Sequence, residues 1–97
     1  MLRHIVLFKK KQELSQDAAL EDRVYVGLKH LDQVVDLIQS WRMSKNELVR
    51  PVCWDYVLES EFRTEEDLKA YLIHPDHLKL MDDIKYYFDI AVVDYYF

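Results

Sequence analysis

Polar and apolar positions along the chain change their period several times, and each change marks an element. Residues 3–9, Arg3-His4-Ile5-Val6-Leu7-Phe8-Lys9, are a dense run of β-formers with apolar side chains at both parities, the pattern of a strand covered on both faces. After the polar stretch that follows, Leu20, Val24, Leu28 and Leu31 recur at spacings of four, four and three, which puts them on one face of a helix. Ser15 is the expected cap of that helix, which runs to about residue 31. Gly27 lies beside the apolar stripe. Glycine weakens a helix interior by about 1 kcal/mol, so its use there implies close approach to another element, expected to be the sheet.

Residues 37–44 form a weaker strand pattern, followed by the turn-like Lys45-Asn46-Glu47 and by Pro51. Residues 52–62 then alternate. Val52, Trp54, Tyr56, Leu58 and Phe62 share one parity, with Ser60 the polar exception, while Asp55, Glu59 and Glu61 share the other. Thr64 precedes three acids, the signature of a capped helix start, and Leu68, Leu72 and Tyr71 are expected to be its buried stripe. Pro75 disfavours a helical conformation at His74, so a second helical piece begins at Pro75 and runs to about Tyr87. Leu78, Met81, Ile84 and Phe88 are its apolar positions. Residues 89–97 close the chain as a strand. The order β-α-β-β-α-β is that of a ferredoxin-like α+β domain spanning residues 1–97, without internal repeat or linker.

Composition sharpens this picture. At 97 residues, a chain that is 51% hydrophobic with seven Tyr and four Phe holds more aromatic surface than so small an interior can hide. An interface or an enclosed cavity is the expected outlet. The formal charge of −5 argues against nucleic-acid partners, whose phosphates call for Lys and Arg. The short run Lys9-Lys10-Lys11 reads as a solvated loop. One cysteine, Cys53, excludes an intrachain disulfide and suits a reducing cytoplasm as a packed thiol. No apolar stretch approaches the length of a membrane span, and the start of the chain does not resemble a signal peptide. The single glycine excludes a nucleotide-binding glycine loop, and Trp41 and Trp54 are assigned to packing or to a dimer seam.

Three segments carry a family likeness. The opening Arg3-His4-Ile5-Val6-Leu7-Phe8-Lys9, the element Tyr71-Leu72-Ile73-His74-Pro75-Asp76-His77 and the closing Val93-Asp94-Tyr95 resemble the stress-responsive dimeric A/B-barrel family in order and spacing. The resemblance implies a ferredoxin-like protomer that pairs with a second copy to make a dimeric α/β barrel, the helices covering one sheet face and the partner the other. Family functions are mixed and include a plant polyketide cyclase that uses a histidine and a tyrosine. Matched motif to motif, that pair falls on His77 and Tyr71, with His4 and Tyr25 as pocket residues. Tyr56 stands where the cyclase has a further histidine, a departure that bears on substrate and reaction.

Histidine titrates near neutrality, and a tyrosine hydroxyl can donate to developing negative charge, so this pair suits an aldol-type proton transfer. Tyr71 and His74 are three apart and face alike, and the Pro75 break can swing His77 towards them; Tyr56 and His74 complete the expected ligand-binding set with His4 and Tyr25. The alternative is structural: the histidines flanking Pro75 bond to backbone groups freed by the break. His74, Asp76 and His77 lack the spacing of a metal motif, so neither metal nor cofactor is expected. The functional expectation is a cytoplasmic homodimer that binds a small, partly apolar molecule, with lyase- or cyclase-like activity. A non-catalytic stress-response dimer and a cofactor-free monooxygenase are the alternatives.

Overall fold

A computed structural model describes residues 1–12 and 17–97. Strand β1 (Leu2–Lys10) leads to helix α1 (Ala18–Lys29) and a 3-10 turn at Leu31–Gln33. Strands β2 (Ser40–Lys45) and β3 (Tyr56–Phe62), helices α2 (Glu65–Leu72) and α3 (Pro75–Tyr87), and strand β4 (Phe88–Tyr96) follow. The four strands form one antiparallel sheet in the order β2-β3-β1-β4. Two βαβ-type crossings therefore interleave, and β1 lies in the middle of the sheet.

Period-two alternation sets the layers. Leu2, His4, Val6 and Phe8 of β1 are buried beneath the helices, as are Tyr56, Leu58, Ser60 and Phe62 of β3. Ser60 is opposite His4 in register and donates its hydroxyl to the His4 carbonyl oxygen across 2.8 Å, which explains a polar residue at an apolar parity. The core has two halves. One gathers Val6, Phe8, Val24, Leu28, Leu58 and Ile84; the other gathers Leu2, Leu31, Val35, Phe62, Leu68 and Tyr71. Trp41 and Leu80 pack against both, and the Trp41 indole donates to the Leu28 carbonyl oxygen across 2.8 Å.

Several elements differ from expectation for local reasons. Helix α1 begins at Ala18, where the Asp17 carboxylate caps by accepting from the Leu20 amide; Ser15 lies outside the described residues. The second strand starts at Ser40 because the Ile38 amide is drawn to the Val35 carbonyl, closing a turn. The third starts at Tyr56: the Cys53 amide bonds to the Arg50 carbonyl around Pro51, and Asp55 accepts from the Lys10 amide. Val52 is left exposed and Trp54 half-buried outside the sheet. In α2 the buried pair is Leu68 and Tyr71, with Leu72 partly exposed.

Along α3 the inward stripe contains His77, Ile84 and Tyr87, while Leu78 faces outward. The apolar pattern is shifted because a histidine and a tyrosine occupy inward positions. Phe88 opens β4 rather than ending the helix. Gly27 does mark a close approach, but to α3: a Cβ there would stand 2.7 Å from Leu80 Cδ2.

Candidate functional site

The break between α2 and α3 organises the site. His74 has extended backbone angles and caps α3, its Nδ1 accepting from the Asp76 amide at 3.1 Å, and Pro75 occupies the first helical turn, where its missing N–H costs nothing. One turn on, His77 points back under the break, and its Nδ1 lies 2.8 Å from the Leu72 carbonyl oxygen. A carbonyl only accepts, so Nδ1 carries the proton and Nε2 of the neutral ring presents its lone pair. Burial pushes the His77 pKa below its ordinary value, against the opposing effect of the Leu72 bond, which favours the neutral, basic form at neutral pH.

Tyr71, on the last turn of α2, has its ring centroid 4.6 Å from that of His77 and is only 1% exposed. Phe62, Trp41 and His4 pack around it at centroid distances of 5.2, 5.8 and 6.3 Å. Burial raises its pKa far above the ordinary value, so the hydroxyl stays protonated and remains a donor. His4 enters from β1. Its Nδ1 is 2.5 Å from Asp94 Oδ1, because the register sets His4 directly opposite Asp94 on β4. The carboxylate accepts, so it holds the His4 ring in one orientation with Nε2 free of that bond.

His4, Tyr71 and His77 share a cavity of about 90 Å³ whose remaining wall is largely apolar: Val6, Phe8, Leu28, Leu58, Met81, Ile84, Ile90 and Val92 among others. An enclosed apolar cavity of about 150 Å³ admits benzene. The space here suits a few heavy atoms, and Ile90 and Val92 in its lining are 40% and 46% exposed. Polar groups are few and converge on one end, the usual design of a small-molecule site.

The other expected site residues lie elsewhere. Tyr25 and Tyr56 stack at a centroid distance of 5.5 Å against Phe8, Val24, Leu28, Met43 and Phe88, in a packed region with no room for a water. The Tyr56 hydroxyl donates to the Glu21 carboxylate, and Lys45 Nζ sits 4.7 Å from the centre of the Tyr25 ring. Leu28 and Phe8 intervene between these tyrosines and the cavity. His74 is likewise outside the cavity, occupied with its cap and 3.7 Å from an Asp76 oxygen. Asp94 is the residue that sequence reasoning left without a site role. Only the β1–β4 register reveals its partner.

A four-stranded antiparallel sheet in this order, with helices on one face and a small His–Tyr–His cavity between the layers, defines a ferredoxin-like α+β domain. The chain belongs to the stress responsive A/B barrel domain family, whose sequence pattern matches residues 2–97. A stress-response A/B barrel domain-containing protein of Arabidopsis thaliana, DABB1, is 30% identical over 85 residues. That match takes in 86% of this chain but 40% of the relative's length. A dimeric ferredoxin-like protein of unknown function from Bacteroides fragilis superposes with a TM-score of 0.79 at 27% identity, covering 99% of this chain and 95% of that one. The hydroxynitrile lyase of Passiflora edulis superposes with a TM-score of 0.80, covering 97% and 90% of the two chains. At 21% identity, that likeness bears on the fold.

Proposed function

We propose that this chain works as a homodimer in the cytoplasm and binds a small, partly apolar carbonyl compound or its adduct, on which His77 and Tyr71 perform acid–base chemistry of the lyase or cyclase kind. The observation that carries this reading is the convergence of the two rings, 4.6 Å apart, on the polar end of an otherwise apolar cavity. His77 Nε2 is the base. It accepts a proton from a substrate hydroxyl, or from the carbon beside a carbonyl, while the Tyr71 hydroxyl donates to the oxygen that bears negative charge. Asp94 positions His4 as a third polar contact. Support for the dimer comes from the dimeric relative and from the apolar side chains of Leu7, Val93, Tyr95 and Phe97, which stand exposed on or beyond the helix-free sheet face. A lone, half-buried thiol at Cys53 supports a reducing compartment.

A hydroxynitrile is a suitable probe, since a protein of the same fold cleaves one. In mandelonitrile cleavage the base removes the hydroxyl proton, the bond to the nitrile carbon breaks, and cyanide leaves with the electron pair and is protonated. Benzaldehyde release is followed in the wild type, Tyr71→Phe and His77→Asn, alongside benzaldehyde titrations read from the His4 and His77 ring signals by NMR. Release that both variants abolish supports the catalytic reading. Ring-signal shifts without release support binding alone. Neither response would leave a non-catalytic dimer as the better account, a reading favoured by the His77 bond to the backbone at the helix break.

A further inference from the structure

We infer that the cavity selects carbonyl compounds by the length of a single unbranched apolar arm, and that Leu28 and Phe8 form the end wall at which the arm stops. This inference rests on the binding reading above and gives it a substrate class. The register of the sheet sets the long axis of the cavity. His4, Val6 and Phe8 line it from β1, and opposite them on β4 stand Asp94, Val92 and Ile90, the last two also in the lining. From His4 to Phe8 the strand covers about 13 Å. The roof follows the same direction. His77, Met81 and Ile84 share one face of α3, and Phe88, directly after that helix, pairs with Lys10 beyond Phe8. Polar groups therefore gather at the His4 end and apolar ones towards Phe8. A space of about 90 Å³ along that axis is narrow. With its carbonyl held at His77 and Tyr71, a substrate has room for one slender arm laid along β1.

A partition ends that axis. Phe8 and Leu28 line the cavity on one side and, on the other, the cluster of Val24, Tyr25, Met43, Tyr56 and Phe88. Both are buried, and both are held at the backbone. The Trp41 indole donates to the Leu28 carbonyl oxygen, and the Asp55 amide donates to the Phe8 carbonyl oxygen, each across 2.8 Å. Gly27, immediately before Leu28, brings α1 so close to Leu80 of α3 that a Cβ there would meet Leu80 Cδ2 at 2.7 Å. Moving this stretch of α1 aside breaks both the indole bond and the helix contact. An arm longer than the space has to displace packed side chains beyond the wall, where there is no room even for a water.

The competing outlet is the flank along β4, where Ile90 and Val92 are partly exposed. An arm that leaves there runs into solvent and keeps its affinity as it lengthens. An arm stopped by Leu28 and Phe8 loses affinity once it is too long. Each methylene buried against the apolar walls tightens binding about fourfold, so a series of homologous ligands reads the end of the cavity directly.

The test titrates the straight-chain methyl ketones from 2-butanone to 2-nonanone into the wild type, Leu28→Ala and Phe8→Leu, read from the His4 and His77 ring signals by NMR. Amide spectra confirm that each variant is folded, and Phe8→Leu, which keeps an apolar side chain, guards against a folding defect in Leu28→Ala. In the wild type, affinity is expected to rise about fourfold per methylene, peak within the series and then fall by about tenfold or more. In the variants the peak is expected to move to a longer ketone while the affinity for 2-butanone stays unchanged. A wild-type affinity that levels off without falling, or a peak at the same ketone in all three proteins, overturns the inference and leaves the binding reading intact. Ring signals that no ketone moves overturn both.

Discussion

His77 reaches back across the Pro75 break and donates its Nδ1 proton to the carbonyl oxygen of Leu72, the last residue of the preceding helix. One bond thus serves two ends. It satisfies an acceptor that the break would otherwise leave unpaired, and it fixes which ring nitrogen faces the cavity. His77→Ala is expected to lose about 1–3 kcal/mol of stability, since an acceptor is left without its donor beside a void. His77→Asn keeps an N–H donor and is expected to lose less. Urea denaturation of the three proteins checks the order.

The same ring makes a pH prediction. Burial lowers the folded-state pKa of His77 below its unfolded value of about 6.5, so the unfolded chain binds the proton more readily. Its contribution to stability is therefore complete above about pH 6.5 and declines as pH falls towards the lower folded value. The urea midpoint of the wild type is expected to fall more steeply below pH 6.5 than that of His77→Asn. Parallel curves would show that His77 titrates alike in both states.

Tyr71→Phe isolates the hydroxyl, because the ring keeps its packing against Phe62, Trp41 and His4. Stability is expected within about 1 kcal/mol of the wild type, with any cleavage rate reduced by about 10²-fold or more. Rate and urea midpoint measured on the same preparation separate the two effects. If the unfolding free energy drops by several kcal/mol while the rate stays unchanged, the hydroxyl is structural.

Asp94→Asn leaves the shape of the β1–β4 pair but removes the carboxylate that accepts from His4 Nδ1. A misdirected ring is expected to cost about 10²-fold in rate. A positioning role also predicts a change in the His4 ring tautomer, read from its ¹⁵N shifts, with the fold unchanged.

Tyr56→Phe addresses a residue that the tertiary structure moves away from the cavity. Loss of its donor leaves Glu21 one bond poorer, at a cost of about 1–2 kcal/mol. Benzaldehyde binding is expected to be unchanged. Impaired binding with full stability would instead return Tyr56 to the ligand site.

Much of this protein was legible in its residues one at a time. Leu20, Val24 and Leu28 at helical spacing named the buried face of α1, and the alternation from Tyr56 to Phe62 named the buried face of β3. Pro75 announced the helix break, because proline's constraint on its neighbour is local chemistry. The three segments that pointed to the A/B barrel family were likewise local strings, and the family they indicated is the one to which the chain belongs. Segment ends were less legible. Val52 and Trp54 have the right parity for β3, but hydrogen bonds around Pro51 and Asp55 hold them out of the sheet.

What only the tertiary structure decided is which polar residues meet. The ring at position 77 and the ring at position 71 meet because a proline re-aims one helix relative to another. His4 and Asp94, 90 positions apart, meet because two strands settle in one register among several that would satisfy the same alternation. Tyr25 and Tyr56 drew apart from that cluster because Leu28 and Phe8 fill the space between. Gly27 shows the division within one residue: its rarity marked a close approach, but the partner, Leu80 on α3, depended on how two helices cross. Periodicity follows from backbone geometry and is written into every turn and pleat. Convergence follows from packing between distant elements, which a linear pattern does not record.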